Sequence, residues 1–146
     1  YKLAKDFYAD FLIQKQISET TSILRKAKSK NKTIKLLSAS IDPIVSVIAE
    51  IHNASFACSQ LEYQNGFCTG KMAFEMKGQK AKFIEQALKD EDCSITFISD
   101  NYSDKALLYD VDQAHVIISS EKEKEKWNAS KVNFITVQNE NSKVSF

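Results

Sequence analysis

A chain of 146 residues, 43% hydrophobic and 27% charged, is long enough for one globular core and has no apolar run long enough to cross a bilayer. Its 20 basic and 19 acidic residues leave a net charge of +1, so bulk charge gives no basis for nucleic acid or an acidic membrane as a partner. Cys58, Cys68 and Cys93 are odd in number and lack Cys-x-x-Cys spacing, which argues against a disulfide framework and for reduced thiols in a cytoplasmic setting.

The first 18 residues place Phe7, Phe11, Leu12 and Ile17 near helical spacing, and residues 19–30 continue with Ile23 and Leu24 before a basic, polar end, which predicts two helices or one broken helix. Residues 33–40 (TIKLLSAS) change period to a short β-branched and Leu-rich run closed by small hydroxyl residues, the form of a buried parallel strand feeding a loop. Asp42 then reads as an N-cap, Pro43 as the first helical residue, and Ile44, Val45, Val47, Ile48 and Ile51 as an apolar helical face. Residues 55–74 alternate loosely on either side of Asn65-Gly66, a hairpin signal and a candidate flap beside the main sheet.

Beyond Gly78, Ala81, Ile84 and Leu88 give residues 79–89 an amphipathic helical pattern. The sequence further predicts strands at 94–99, 114–119 and 132–137, a short helix at 103–110 and a charged helix at 120–128. Strand and helix alternating at this pace indicate βαβ units, hence an α/β fold with a parallel sheet covered by helices on both faces.

In open α/β sheets the ligand sits beyond the carboxyl ends of the strands, so the residues just past each apolar run carry the information. They are Ser38, Ser40, Asp100, Asn101 and Asp104. The Ser38 hydroxyl, with the backbone N–H groups of Ala39, Ser40 and the start of the next helix, suits a phosphoryl oxygen; serine is also a common cap before a helix. Asp100 and Asp104 are spaced so that both carboxylates can face one cleft, an oxygen-rich pair of the kind Mg²⁺ takes, although turns and helix starts favour acids for local reasons too. Lys80 lies in the first turn of its helix, where the macrodipole disfavours a cation unless an anion is near. Lys77 and Lys82 are equally cationic, and composition does not choose among the three.

The order of these pieces resembles the phosphoserine phosphatase-like branch of the haloacid dehalogenase superfamily, over nearly the whole chain. Residues 34–43 (IKLLSASIDP) resemble its second motif, an apolar strand closed by Ser or Thr. Residues 60–70 (QLEYQNGFCTG) resemble its hairpin, which leads to a Gly-x-Lys segment that is Gly78-Gln79-Lys80 here. Residues 95–108 (ITFISDNYSDKALL) resemble its fourth motif, with Asp100 and Asp104 in the acidic places. Two residues depart from that pattern: Ser99 stands where glycine is usual before the first acid, and Asn101 where serine is usual after it.

The resemblance implies a Rossmann-like core over residues 19–146, with residues 1–18 as the end of a helical cap or a lead-in helix, and with the first strand and most of the cap missing. It implies a Mg²⁺-dependent phosphomonoester hydrolase acting on a phosphorylated small molecule. Asp100 and Asp104 would serve the metal; Ser38 and Lys80 would be catalytic; and Ser38, Ala39, Ser40, Lys80 and Asn101 would hold the phosphate. The family's nucleophile lies in an Asp-x-Asp-x-Thr motif that does not occur here, since Asp6 and Asp10 follow no apolar strand. The chain by itself is therefore expected to be inactive, and to need the missing segment, a second chain or a second copy of itself. The alternative is a non-catalytic binding or scaffold domain of the same fold.

The remaining signals read as structure. The basic run Arg25, Lys26, Lys28, Lys30, Lys32 and Lys35 has no interleaved aromatics and only one arginine, so it reads as a solvated helix end and not a nucleic-acid surface. His52 and His115 have no metal-like partner spacing. Trp127 reads as the residue that packs a charged helix onto the sheet.

Overall fold

In the computed structural model, residues 1–89, 94–127 and 132–137 are described. Contacts divide the chain into two units, Tyr1–Lys80 and Ala81–Phe146. Mixed α/β structure with parallel strands runs through both: each unit carries a three-stranded sheet, β1-β2-β3 in the first and β4-β5-β6 in the second.

The first unit opens with α1 (Lys2–Phe7), a π-helical turn at Tyr8–Leu12, a 3-10 turn at Ile13–Lys15, and α2 (Ser18–Ser29). The break that residues 3–18 foreshadowed is therefore a change of helical pitch followed by extended backbone at Gln16 and Ile17. β1 (Lys35–Ile41) leads directly into α3 (Asp42–His52), which ends at Asn53 in the left-handed conformation. Asparagine is suited to that position because it tolerates positive φ better than other side-chain-bearing residues. α3 packs on β1 and β2 and buries Val45, Val47 and Ala49; Ala4, Ile34, Cys58 and Met76 are the other buried apolar residues of this unit among those described.

β2 (Ser55–Gln64) pairs parallel with β1 and antiparallel with β3 (Phe67–Phe74). The hairpin turns through Asn65 and Gly66, both at positive φ, as an Asn-Gly turn between twisted strands requires. β3 is exposed along its whole length, with Phe67 78% accessible.

In the second unit α4 (Lys80–Leu88), whose first residue closes the first unit, precedes β4 (Thr96–Ser99), a 3-10 segment at Tyr102–Tyr109, β5 (Gln113–Ile118), α5 (Glu121–Trp127) and β6 (Val132–Thr136). The three strands are all parallel, with β5 in the middle. Ala114, Val116 and Ile118 alternate along β5 as its fully buried residues, the period of two that places them on one face. Trp127 is buried and meets Tyr102 edge to face at 5.4 Å between centroids.

Three expectations are corrected. The helix expected at 103–110 is a 3-10 segment starting one residue earlier. Asp42 is the first residue of α3, whose cap position is Ile41; its carboxylate accepts the Leu61 N–H at 2.9 Å instead. And β1 is a half-buried, not a buried, strand, because it ends its sheet and pairs on one side only among the described residues. Cys93, and residue 128 of the charged helix, lie outside the described residues.

Candidate active site

In the first unit the residues of interest gather where β1 gives way to α3. The β1–β2 ladder runs in register from Lys35 to Ser38, then skips: Ser38 faces Cys58, but the next pair is Ile41 with Ser59. Ala39 and Ser40 thus leave the ladder, and both are exposed. Backbone groups released from a ladder need other partners. The Ser40 N–H donates to Ser38 Oγ at 3.1 Å, and the Ala39 carbonyl accepts from Ser59 Oγ at 3.0 Å. The excursion is therefore a looped-out bulge within the last residues of β1, just before the N-terminus of α3, a setting suited to anions.

Asp42 fixes the other side of this loop through its bond to Leu61 of β2. Its negative charge, after burial itself, pushes the thiol of neighbouring Cys58 above the ordinary value, which keeps that buried sulfur protonated and a poor nucleophile. Met76 is fully buried, its N–H donating to Ser59 Oγ at 3.0 Å and its carbonyl accepting from Gln79 at 2.9 Å. The chain then passes Gly78 at φ +74 and enters α4 at Lys80, which is half-buried.

In the second unit the end of β4 carries a tight polar cluster. Ser99 and Asp104 are buried, at 7% and 4% accessibility, and Ser99 Oγ donates to Asp104 Oδ2 at 2.7 Å. The same oxygen accepts the Asn101 N–H at 3.1 Å. Asn101 Oδ1 caps the 3-10 segment by accepting the Ser103 N–H at 3.0 Å, and its carbonyl accepts the Asp104 N–H at 2.9 Å. Asp100 stands between these residues with its side chain exposed. Both departures from the family pattern, Ser99 and Asn101, thus have local partners: one holds a buried carboxylate, the other caps the next element.

Ser38, Ala39, Ser40 and Lys80 belong to the first unit, and Asp100, Asn101 and Asp104 to the second. The structure brings Ser38 and Ser40 together in the first, and Ser99, Asn101 and Asp104 in the second. Sequence reasoning passed over Ser59 and the Asp42–Leu61 tie, and met Ser99 only as a departure from a motif. Its one available signal for Ser59 was a serine beside Cys58 within an otherwise apolar part of a strand. Among the described residues no three His, Cys, Asp or Glu side chains gather as a metal site, and no helix is long and apolar enough to cross a membrane.

No protein-family model matches the sequence, and no curated protein matches it. Two solved structures are similar. One is a protein of unknown function from Bordetella pertussis Tohama I, with a TM-score of 0.74 and 17% identity over 90% of this chain. The other is a substrate-bound phosphoserine phosphatase, with a TM-score of 0.58 and 18% identity over 76% of this chain. The chain spans 63% of the length of the first and 55% of the second. These likenesses show the fold: a Rossmann-like α/β arrangement of the kind found in that phosphatase.

Proposed function

We propose that this chain is the phosphate- and metal-binding portion of a Mg²⁺-dependent phosphomonoester hydrolase of the haloacid dehalogenase type. The observation that carries the reading is the formed loop at Ser38–Ser40, at the strand end where the fold of the phosphoserine phosphatase neighbour and the sequence motifs both lead one to look. In this reading the Ser38 hydroxyl donates a hydrogen bond to a phosphoryl oxygen while its oxygen accepts from the Ser40 N–H, the Ala39 backbone adds an N–H donor, and Lys80 neutralises phosphoryl charge.

Asp100 is assigned to the metal, with Asp104 supporting it or holding its water. The donor set fits Mg²⁺: hard carboxylate oxygens, too few among the described residues to close a protein cage, as suits an ion that keeps waters and phosphate oxygens as ligands. When bound, the ion would neutralise charge developing on the phosphoryl oxygens. The chain's own contribution is to hold the buried Asp104 carboxylate in place through Ser99, while Asp100 is exposed to solvent.

The attacking aspartate is assigned to a segment or chain outside these residues. Support comes from β1 and β4, each of which pairs on one side only among the described residues; an edge left open in this way is a template for another strand. A phosphorylated small molecule is the proposed substrate class, residues 1–18 the end of a cap, and the cytoplasm the proposed compartment.

The test has two arms. The chain alone should hydrolyse no generic phosphomonoester, and robust Mg²⁺-dependent turnover would overturn the assignment of the nucleophile elsewhere. Inorganic phosphate should shift the backbone amide resonances of Ala39 and Ser40 in a saturable way; flat shifts at both would remove the phosphate role of Ser38.

A further inference from the structure

Ser59 takes no part in the chemistry proposed above, yet its hydroxyl is the meeting point of the two phosphate-facing segments of the first unit. It is 4% accessible. Its proton goes to the Ala39 carbonyl at 3.0 Å, and its oxygen accepts the Met76 N–H at 3.0 Å. Ala39 is one of the two residues expelled from the β1–β2 ladder, so this bond replaces a ladder bond at the loop that follows Ser38. Met76 begins the turn whose next bond, from the Gln79 N–H to the Met76 carbonyl at 2.9 Å, sets up the first turn of α4 at Lys80. A run of hydrogen bonds thus leads from the loop, through one buried oxygen, to the residue before Lys80.

Neither bond is incidental to burial. Met76 is fully buried, so its N–H has no water to turn to if the Ser59 oxygen is removed, and a buried orphan donor costs more than a hydrogen bond contributes. The cheapest relief is for the Met76 turn to move, and the turn carries Lys80 with it.

We infer that Ser59 is a positioning residue for phosphate: it holds the Ala39–Ser40 loop and the Met76–Lys80 turn on a single hydroxyl, so that the two segments respond to an anion together. The inference rests on the phosphate reading of Ser38 and Lys80. The experiment is a titration of the full chain with inorganic phosphate, followed by amide resonances at Ser40 and Lys80, in the unaltered protein and in Ser59→Ala and Ser59→Thr.

In the unaltered protein both amides should shift along one binding curve. In Ser59→Ala the apparent affinity should fall on the order of tenfold, as expected for a lost buried hydrogen bond, and the Lys80 shift should part from that of Ser40. Ser59→Thr, which keeps a hydroxyl, should restore the common curve. If Ser59→Ala does not fold, Ser59→Cys stands in for it, since a thiol keeps the volume but is a weak donor and acceptor. A phosphate response in the unaltered chain that Ser59→Ala, or Ser59→Cys in its place, leaves unchanged defeats this inference alone. No response in the unaltered chain defeats the phosphate reading and this inference with it.

Discussion

Ser99 shows how much one hydroxyl decides. With glycine there, the Asp104 carboxylate would lose its 2.7 Å donor and the Asn101 N–H its acceptor. A net loss of about 1–3 kcal/mol is expected for Ser99→Ala, given that one partner is a buried carboxylate, and urea unfolding measures it. A midpoint unchanged by the substitution would mean that the bond contributes nothing to stability. His52, in the first unit, makes a pH-dependent contribution. Burial first, and the Lys28 charge second, lower its pKa in the folded chain. The unfolded chain therefore binds more protons as pH falls through the ordinary histidine value, about 6.5, and stability drops from there until pH reaches the lower folded value. Replacing His52 with glutamine should flatten that part of the melting temperature against pH; a profile identical to the unaltered protein would rule the histidine out as its source.

At the scale of elements, the turns can be read from residue type because the constraint is local. Gly78 sits at φ +74 with nothing within 4 Å of the place a Cβ would occupy, so Gly78→Ala meets only backbone strain. It should cost about 1 kcal/mol, whereas Ala at exposed Lys77 should be near neutral; equal midpoints for the two in denaturant would show that the turn tolerates a side chain. The same locality made Asn65-Gly66 and the proline in the first turn of α3 legible, along with the switch of period between helices and strands. The exposure of β1 was not legible, since Leu36 and Leu37 have the composition of a buried strand and only the sheet order reveals an open side. Strand-end reasoning singled out Ser38, Asp100 and Asp104 because ligands of open α/β sheets bind beyond the strand ends. It could not find Ser59, whose partners lie 20 residues before it and 17 after, or the Asp42 bond to Leu61; such ties exist only once separate segments meet.

At the scale of the whole molecule, the two sheets leave β1 and β4 each with one unpaired edge among the described residues, and large apolar side chains such as Leu3 and Phe67 stand 84% and 78% exposed. Open edges and exposed apolar surface favour association, so the isolated chain should sediment faster as its concentration rises. A single sedimentation coefficient of monomer mass across the micromolar range would count against strand or chain addition. In the second unit, Ile118 is 1% exposed, and Ile118→Ala should cost about 2–5 kcal/mol, a large part of the stability of a small domain. Differential scanning calorimetry would detect it as a clear fall in transition temperature.

The bulge at Ala39 and Ser40 also has a mechanical consequence. Between Ser38 and Ile41 the first strand advances three residues while its neighbour advances one, a surplus of two. Extra residues on one strand of a pair bend it and sharpen its local twist, so β1 bends just where it hands over to α3. Deleting Ala39 and Ser40 would remove that bend and take from Ser59 Oγ the carbonyl it donates to.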